Sequence, residues 1–447
     1  MNFAQIGLQV PTILLPRTGT DLTKWAVVAC DQYTSQPDYW RGVENLVADA
    51  PSTLRLMLPE VYLETADEAR RIAQIEQTMR RYLDEPVLTE QPPGFILVER
   101  ETGRGRSRKG LIAALDLECY DYRPGAKALI RPTEGTILER LPPRIRVREK
   151  ALVELPHVMV LIDDPERSVI EPLFAEPQDC LYDFPLMFDS GRVRGWRAAH
   201  PLLVQWAVEQ LSRLADPAAF SDRYGVEGEP VLLYAMGDGN HSFATAKTLW
   251  ENLKRAAPDP VAIMRHPARH ALVELVNLHD PGLQFEPIHR LAFGVKADSL
   301  LAALADFLGA QQARLRVLDA PSWEAARQTW SELQKSGRHA IAFLTRDRCG
   351  VLDIERPRLT LPVATLQAFL DEHLKTQTGA RLDYIHGEDV LERLGRQPGN
   401  MGFYLPALAK GDFFRTVIRD GALPRKTFSM GEADEKRFYL ECRRIAP

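Results

Sequence analysis

Apolar residues in this 447-residue chain fall into short runs broken by glycine, proline and charge. The strongest run, Val231–Met236 (VLLYAM), has the length of a buried strand and is too short for a typical helix. It gives way to Gly237-Asp238-Gly239-Asn240-His241-Ser242, after which a helical pattern runs from Ala244 to about Arg255. Elsewhere the pattern predicts a strand at Trp25–Cys30, an amphipathic helix over Glu64–Leu83, and paired strands at Phe95–Glu99 and Gly110–Asp116. Ala151–Asp163 reads as one long apolar strand region, Leu181–Trp196 as paired short strands, His200–Leu214 as a helix and Ala271–Leu278 as a strand. From Val295 onward helices and strands alternate, with helices at Asp298–Leu308, Ser322–Lys335 and Leu361–Leu374 around a strand at His339–Thr345. Short strands at Tyr384–Gly387 and Met401–Leu405 and a final strand at Lys436–Cys442 complete the pattern. This reading gives an α+β protein with a core domain over 1–292 and a C-terminal α/β region over 293–447.

Strand, glycine turn and helix start make the 231–247 stretch an anion site in outline. Gly237 and Gly239 let backbone approach a ligand, and first-turn N–H groups lack intrahelical partners at the positive end of the helix dipole. The same pattern also describes a tight turn in which Asn240 or Ser242 is simply a helix cap. The concentration of Asp238, Asn240, His241 and Ser242 at one strand end favours a ligand. Neither a Walker loop nor the dinucleotide glycine fingerprint is present.

Other polar clusters follow strand ends. Asp31-Gln32-Tyr33-Thr34-Ser35 is either a turn cap or a place where Asp31 faces a pocket as a base or metal partner, with Gln32 orienting a polar substrate. Arg131 and Glu134 lie in a Pro- and Gly-marked loop, and Arg144, Arg146 and Arg148 alternate with apolar residues as one strand face would. These arginines could grip phosphate or form a ladder with Glu134, Glu139 and Glu149. His289 beside Arg290 is a candidate substrate contact, and Lys426 with Thr427 either a solvated turn or a closure over an anion.

Composition narrows the classes. With 45% hydrophobic and 26% charged residues the chain has an ordinary globular composition, and its net charge of −5 argues against nucleic acid as a partner. Five scattered cysteines without a CxxC pair fit reduced thiols and a cytoplasmic setting. No apolar run reaches the roughly 18 residues of a membrane span, and the N-terminus lacks a secretory pattern, so no membrane partner is expected.

Four motifs together resemble a family catalogued as a domain of unknown function. It is related to the ADP-dependent free-serine kinases of archaea and more distantly to the ParB/sulfiredoxin fold. Met236-Gly-Asp-Gly-Asn-His241 is similar to that family's Asp-Gly-His-His-Arg phosphate turn, and Cys30-Asp31-Gln32 to its acidic N-terminal motif. Pro424-Arg425-Lys426-Thr427 resembles its C-terminal Pro-Lys-Ser/Thr element, and Arg131–Glu134 a charged stretch of the bacterial branch. Two departures stand out: Asn240-His241-Ser242 replaces His-His-Arg, and Asp31 replaces a longer Glu.

The resemblance implies a ParB/sulfiredoxin-like mixed-sheet core, with the last segment of the chain returning to its site. It further implies a small-molecule kinase carrying a phosphoryl group from ADP or ATP, with Mg²⁺, to a hydroxyl acceptor, free L-serine leading. Asp31 and His241 would be catalytic. Gly237, Asp238, Gly239, Asn240, Ser242, Arg131, Lys426 and Thr427 would hold the nucleotide, and Gln32, Thr34, Glu134, His289 and Arg290 the substrate. No metal ligand is assigned, and a homodimer is an open alternative. A ParB-like nucleotide switch and a plain nucleotide hydrolase are the rival readings.

Overall fold

The computed structural model describes residues 1–175 and 179–447. The chain divides into a first unit, 1–284 with 431–447, and a second unit, 285–430. The division thus falls earlier than position 292, and the last stretch of chain belongs to the first unit.

The first unit is built on a ten-stranded mixed sheet. Its strands are β1 (Asn2–Phe3), β2 (Leu8–Gln9), β3 (Phe95–Thr102), β4 (Ser107–Asp116), β5 (Ile130–Arg131), β6 (Met159–Ile162), β7 (Asp179–Pro185), β8 (Gly191–Ala198), β9 (Tyr234–Asp238) and β10 (His270–Asn277). The order is β7-β8-β3-β4-β10-β6-β9-β5, with the β1–β2 hairpin attached to β4 through β2. The β6/β10 and β9/β5 pairs are parallel; the remaining pairs are antiparallel.

Both faces of the sheet are buried, which explains the nearly continuous apolar runs in its central strands. Alternation at period two separates two cores: Phe95, Leu97, Leu111 and Ala113 enter one, Ile96, Val98 and Ile112 the other. The first core is roofed by helices α3 (Pro201–Leu214) and α4 (Asn240–Ala256), through Leu211, Phe243 and Trp250. The second is closed by Trp25, Trp40 and helix α1 (Glu68–Asp84), whose Ile75, Met79 and Tyr82 share one face.

Two sequence expectations change here. Arg144, Arg146 and Arg148 lie on a helix, α2 (Leu141–Arg148), not on a strand. Prolines in a first helical turn lose no intrahelical bond, so Pro142-Pro143 opens this helix rather than excluding it. Its arginines pair with Glu60, Glu68 and Glu154, none of which was an anticipated partner. The apolar region 151–163 is also two pieces, Val153–Glu154 and β6, separated by a loop carrying Pro156 and His157.

The second unit carries a six-stranded antiparallel sheet: β11 (His289–Phe293), β12 (Arg314–Ala320), β13 (His339–Leu344), β14 (Cys349–Glu355), β15 (Arg381–Ile385) and β16 (Asn400–Tyr404). Their order is β12-β14-β13-β16-β11-β15. Helices α5 (Ala297–Ala310), α6 (Trp323–Lys335) and α7 (Pro362–His373) accompany it. The alternating pattern after Val295 is therefore a separate compact body. No helix among the described residues is long and apolar enough to cross a membrane.

The C-terminal segment threads the first unit. Phe438–Tyr439 pairs with Val27–Val28, and Arg443–Arg444 with Val153–Glu154. Arg437, about 6% exposed, donates to Glu274 at 2.6 Å, to the Pro156 carbonyl at 3.0 Å and to Glu441. Removing one member of a buried ion pair leaves a desolvated charge and typically costs about 3–5 kcal/mol. Arg437→Met is expected to lower the stability of the first unit on that scale in denaturant titration. A loss under about 1 kcal/mol would show that the pair is not what anchors the segment.

Candidate functional site

The site forms where β9 hands over to α4. Between β6 and β9 the register slips: Met159 faces Asp238, yet Val160 faces Met236, leaving Gly237 as the extra residue of a bulge. A side chain at Gly237 would crowd Leu161 and the Met159 carbonyl at 3.0–3.3 Å. Gly239 follows with φ +81°, a conformation that L side chains rarely adopt, and a Cβ there would press on Val158 at 3.1 Å. The turn is thus a single residue. Asn240, His241 and Ser242 are the first three residues of α4, and no side chain caps that helix.

His157 joins the pieces. Ser242 Oγ lies 2.9 Å from its Nε2, Asp31 Oδ2 3.5 Å from the same nitrogen, and the Tyr439 hydroxyl 2.7 Å from Nδ1. Gln32 donates to Asp31 at 2.9 Å. Asp238 pairs with Lys436 at 3.1 Å and accepts the Gly239 N–H at 2.9 Å. Burial pushes the Asp238 carboxyl up, but Lys436, His157 and that N–H outweigh it and hold the carboxyl below its usual range. A cavity of about 140 Å³ opens beside this cluster, lined on its polar side by Cys30, Glu60, Arg144, His157, Ser242 and Tyr439. Leucine and methionine side chains from 56–58 and Met79 make its apolar wall.

The loop after β5 covers the turn. Thr133 donates its hydroxyl to the Met236 carbonyl at 2.5 Å and its N–H to Asn240 at 3.3 Å, and the Ile137 N–H reaches His241 Nε2 at 3.2 Å. Glu134 lies half-buried in that loop.

Of the residues singled out from sequence, Asp31, Gln32, Gly237, Asp238, Gly239, Asn240, His241 and Ser242 come together. Thr34 is exposed in the loop beyond Asp31. The Arg131 guanidinium donates to the Ala128 and Pro230 carbonyls, ahead of the start of β9.

His289, Arg290, Lys426 and Thr427 belong to the second unit. His289 accepts the Leu405 N–H at 3.2 Å, and fully buried Arg290 donates to Gln367 at 2.7 Å. Thr427 donates to the Pro424 carbonyl at 2.6 Å. The C-terminal segment brings the Lys436 cation to the turn. His157, Lys436 and Tyr439 were not legible as site residues. The one local signal was His157 itself, a polar residue after proline inside an apolar run.

The family model for proteins of unknown function designated DUF1015 matches residues 14–373. The chain belongs to the DUF1015 family. No curated protein is similar to this DUF1015 member. Among solved structures, a free serine kinase variant in complex with AMP is 10% identical at a TM-score of 0.39, over 74% of this chain and 90% of its own. A free serine kinase variant with ADP is likewise 10% identical at 0.38, over 74% and 91%. A conserved hypothetical protein from Pyrococcus furiosus is 12% identical at 0.36, over 75% and 95%. At such identities and scores the likeness reaches neither chemistry nor residue roles.

His241 illustrates how the turn sets protonation. Burial, then Arg144 and Arg140, push its pKa from 6.5 down to about 4 against the opposing pull of Asp31. The neutral ring accepts at Nε2 and carries its proton on Nδ1. The unfolded chain therefore binds more protons than the folded one between about pH 4 and 6.5. Stability from the neutral ring is full above 6.5 and is lost as pH falls through about 4. An NMR titration of His241 should show a midpoint near 4, and a midpoint of 6 or above would contradict this environment.

Proposed function

We propose that this DUF1015 member is a small-molecule kinase, transferring the terminal phosphoryl group of ADP or ATP to a hydroxyl acceptor, with free L-serine the first to try. The observation that carries the reading is the convergence of Asp31 and the α4 N-terminus on one imidazole, His157. It puts a carboxylate opposite the place where helix N–H groups favour phosphate. The motif resemblance to the free-serine kinases supports the same assignment.

In this mechanism the α4 N–H groups hold the phosphates. Asp31, oriented by Gln32, accepts the acceptor's proton as the acceptor oxygen bonds to phosphorus. The bridging P–O bond breaks, and the nucleotide leaves one phosphate shorter. Mg²⁺ carried in on the nucleotide phosphates would neutralise charge on the transferred group. Positioning and charge balance supply most of the catalysis in such transfers. Neutral His241 contributes a hydrogen bond rather than a cation.

Phosphorus NMR with Mg²⁺, serine and either nucleotide tests the reading. Phosphoserine is the expected product. Free phosphate alone would make the protein a nucleotide hydrolase, and saturable binding without turnover a ParB-like switch. Asp31→Asn should lower turnover roughly 10²–10⁴-fold with nucleotide still bound. Full activity in that variant would remove Asp31 from the role of base.

A further inference from the structure

The contacts of Tyr439 bear on what His157 can do. The Tyr439 hydroxyl receives the Cys30 N–H at 3.3 Å and donates its own proton to Cys30 Sγ at 3.1 Å. Across the 2.7 Å contact between the Tyr439 hydroxyl and His157 Nδ1 either group can donate, and the tautomer protonated on Nδ1 gives its proton to Tyr439. In that tautomer the imidazole lone pair sits on Nε2. That nitrogen faces the Ser242 hydroxyl at 2.9 Å and can accept its proton. A hydroxyl nucleophile and a base are thus already within proton-transfer reach.

Asp31, 3.5 Å from the same nitrogen, stabilises the imidazolium that forms when the proton moves. In the usual serine triad the carboxylate holds the imidazole nitrogen opposite the nucleophile; here Tyr439 takes that place. Ser242 is also the third residue of α4, where negative charge on Oγ is favoured by the unpaired N–H groups and the helix dipole. Arg144 lines the same cavity.

We propose that Ser242 is itself a phosphoryl acceptor, taking the terminal phosphoryl group of a bound nucleoside diphosphate or triphosphate to give a phosphoserine enzyme. The proposal rests on the nucleotide site of the preceding section. Ser242 Oγ attacks the terminal phosphorus, and the Oγ–P bond forms as the bond to the bridging oxygen breaks. The hydroxyl proton passes to His157 Nε2. The electron pair leaves on the nucleotide, now one phosphate shorter, and the new phosphate faces the imidazolium.

The full chain is incubated with Mg²⁺ and ATP or, separately, ADP, with serine present. Intact mass and peptide mapping are read beside phosphorus NMR of the same sample. The expected result is one phosphoryl group per chain on the peptide carrying Ser242. It should be absent in Ser242→Ala, retained in Ser242→Thr, and slowed about 10²–10⁴-fold in His157→Gln. An unlabelled wild-type chain, or label mapped to another residue, overturns the proposal, and neither result depends on a variant folding. Phosphorylated serine in solution without labelled enzyme overturns the Ser242 step and leaves the kinase reading standing. Labelled enzyme without phosphorylated serine supports the Ser242 step and counts against serine as the acceptor.

Discussion

The buried guanidinium of Arg437 is the constraint on which the site depends. A charge held out of water persists only with partners in good geometry, and Arg437 finds Glu274 on the central strand β10, Glu441 on its own segment and the Pro156 carbonyl. Those partners meet in one place only if the C-terminal segment threads through the first unit. Once it does, the neighbours of Arg437 are placed as well. Lys436 reaches Asp238 and Tyr439 reaches His157, so one ion cluster fixes both flanks of the turn. Its hold on the Pro156 carbonyl also sets the loop that carries His157.

The turn itself is a backbone device. The bulge at Gly237 rotates the end of β9, and left-handed Gly239 compresses the turn so that α4 begins at once. Without the bulge, Gly237 rather than Asp238 would face Met159, and Asp238 would lie one register position further along. The short turn brings Ser242 Oγ to His157 with no intervening loop. Extended strand, bulge and helix thus convert a sequence cluster into a fixed constellation.

Elements set by local periodicity were legible in the sequence. The helix through Ile75 and Met79 and the paired strands around Ile96 and Ile112 appear close to where spacing puts them. Arg144, Arg146 and Arg148 misled because alternation over five residues fits a strand, while the prolines before them fit a helix start equally well. Half of the site was legible, namely Asp31 and the 237–242 turn, because those polar residues sit at the ends of apolar runs. His157, Lys436 and Tyr439 were not, since their roles exist only through contacts across more than 80 residues of sequence separation. Lys436 in particular stands in an unremarkable strand pattern.

Charge balance around the turn bears directly on what can bind. Lys436 is matched by Asp238 and Arg144 by Glu60, so both of these cations already have a carboxylate partner. Asp31 adds a further negative charge opposite the helix start. A polyanion entering this space meets helix N–H groups and paired cations, so its charge is only partly compensated by protein. It must carry a cation of its own or draw Lys436 and Arg144 from their partners. A nucleotide arriving with Mg²⁺ satisfies the first condition without breaking a salt bridge, and a bare inorganic anion does not.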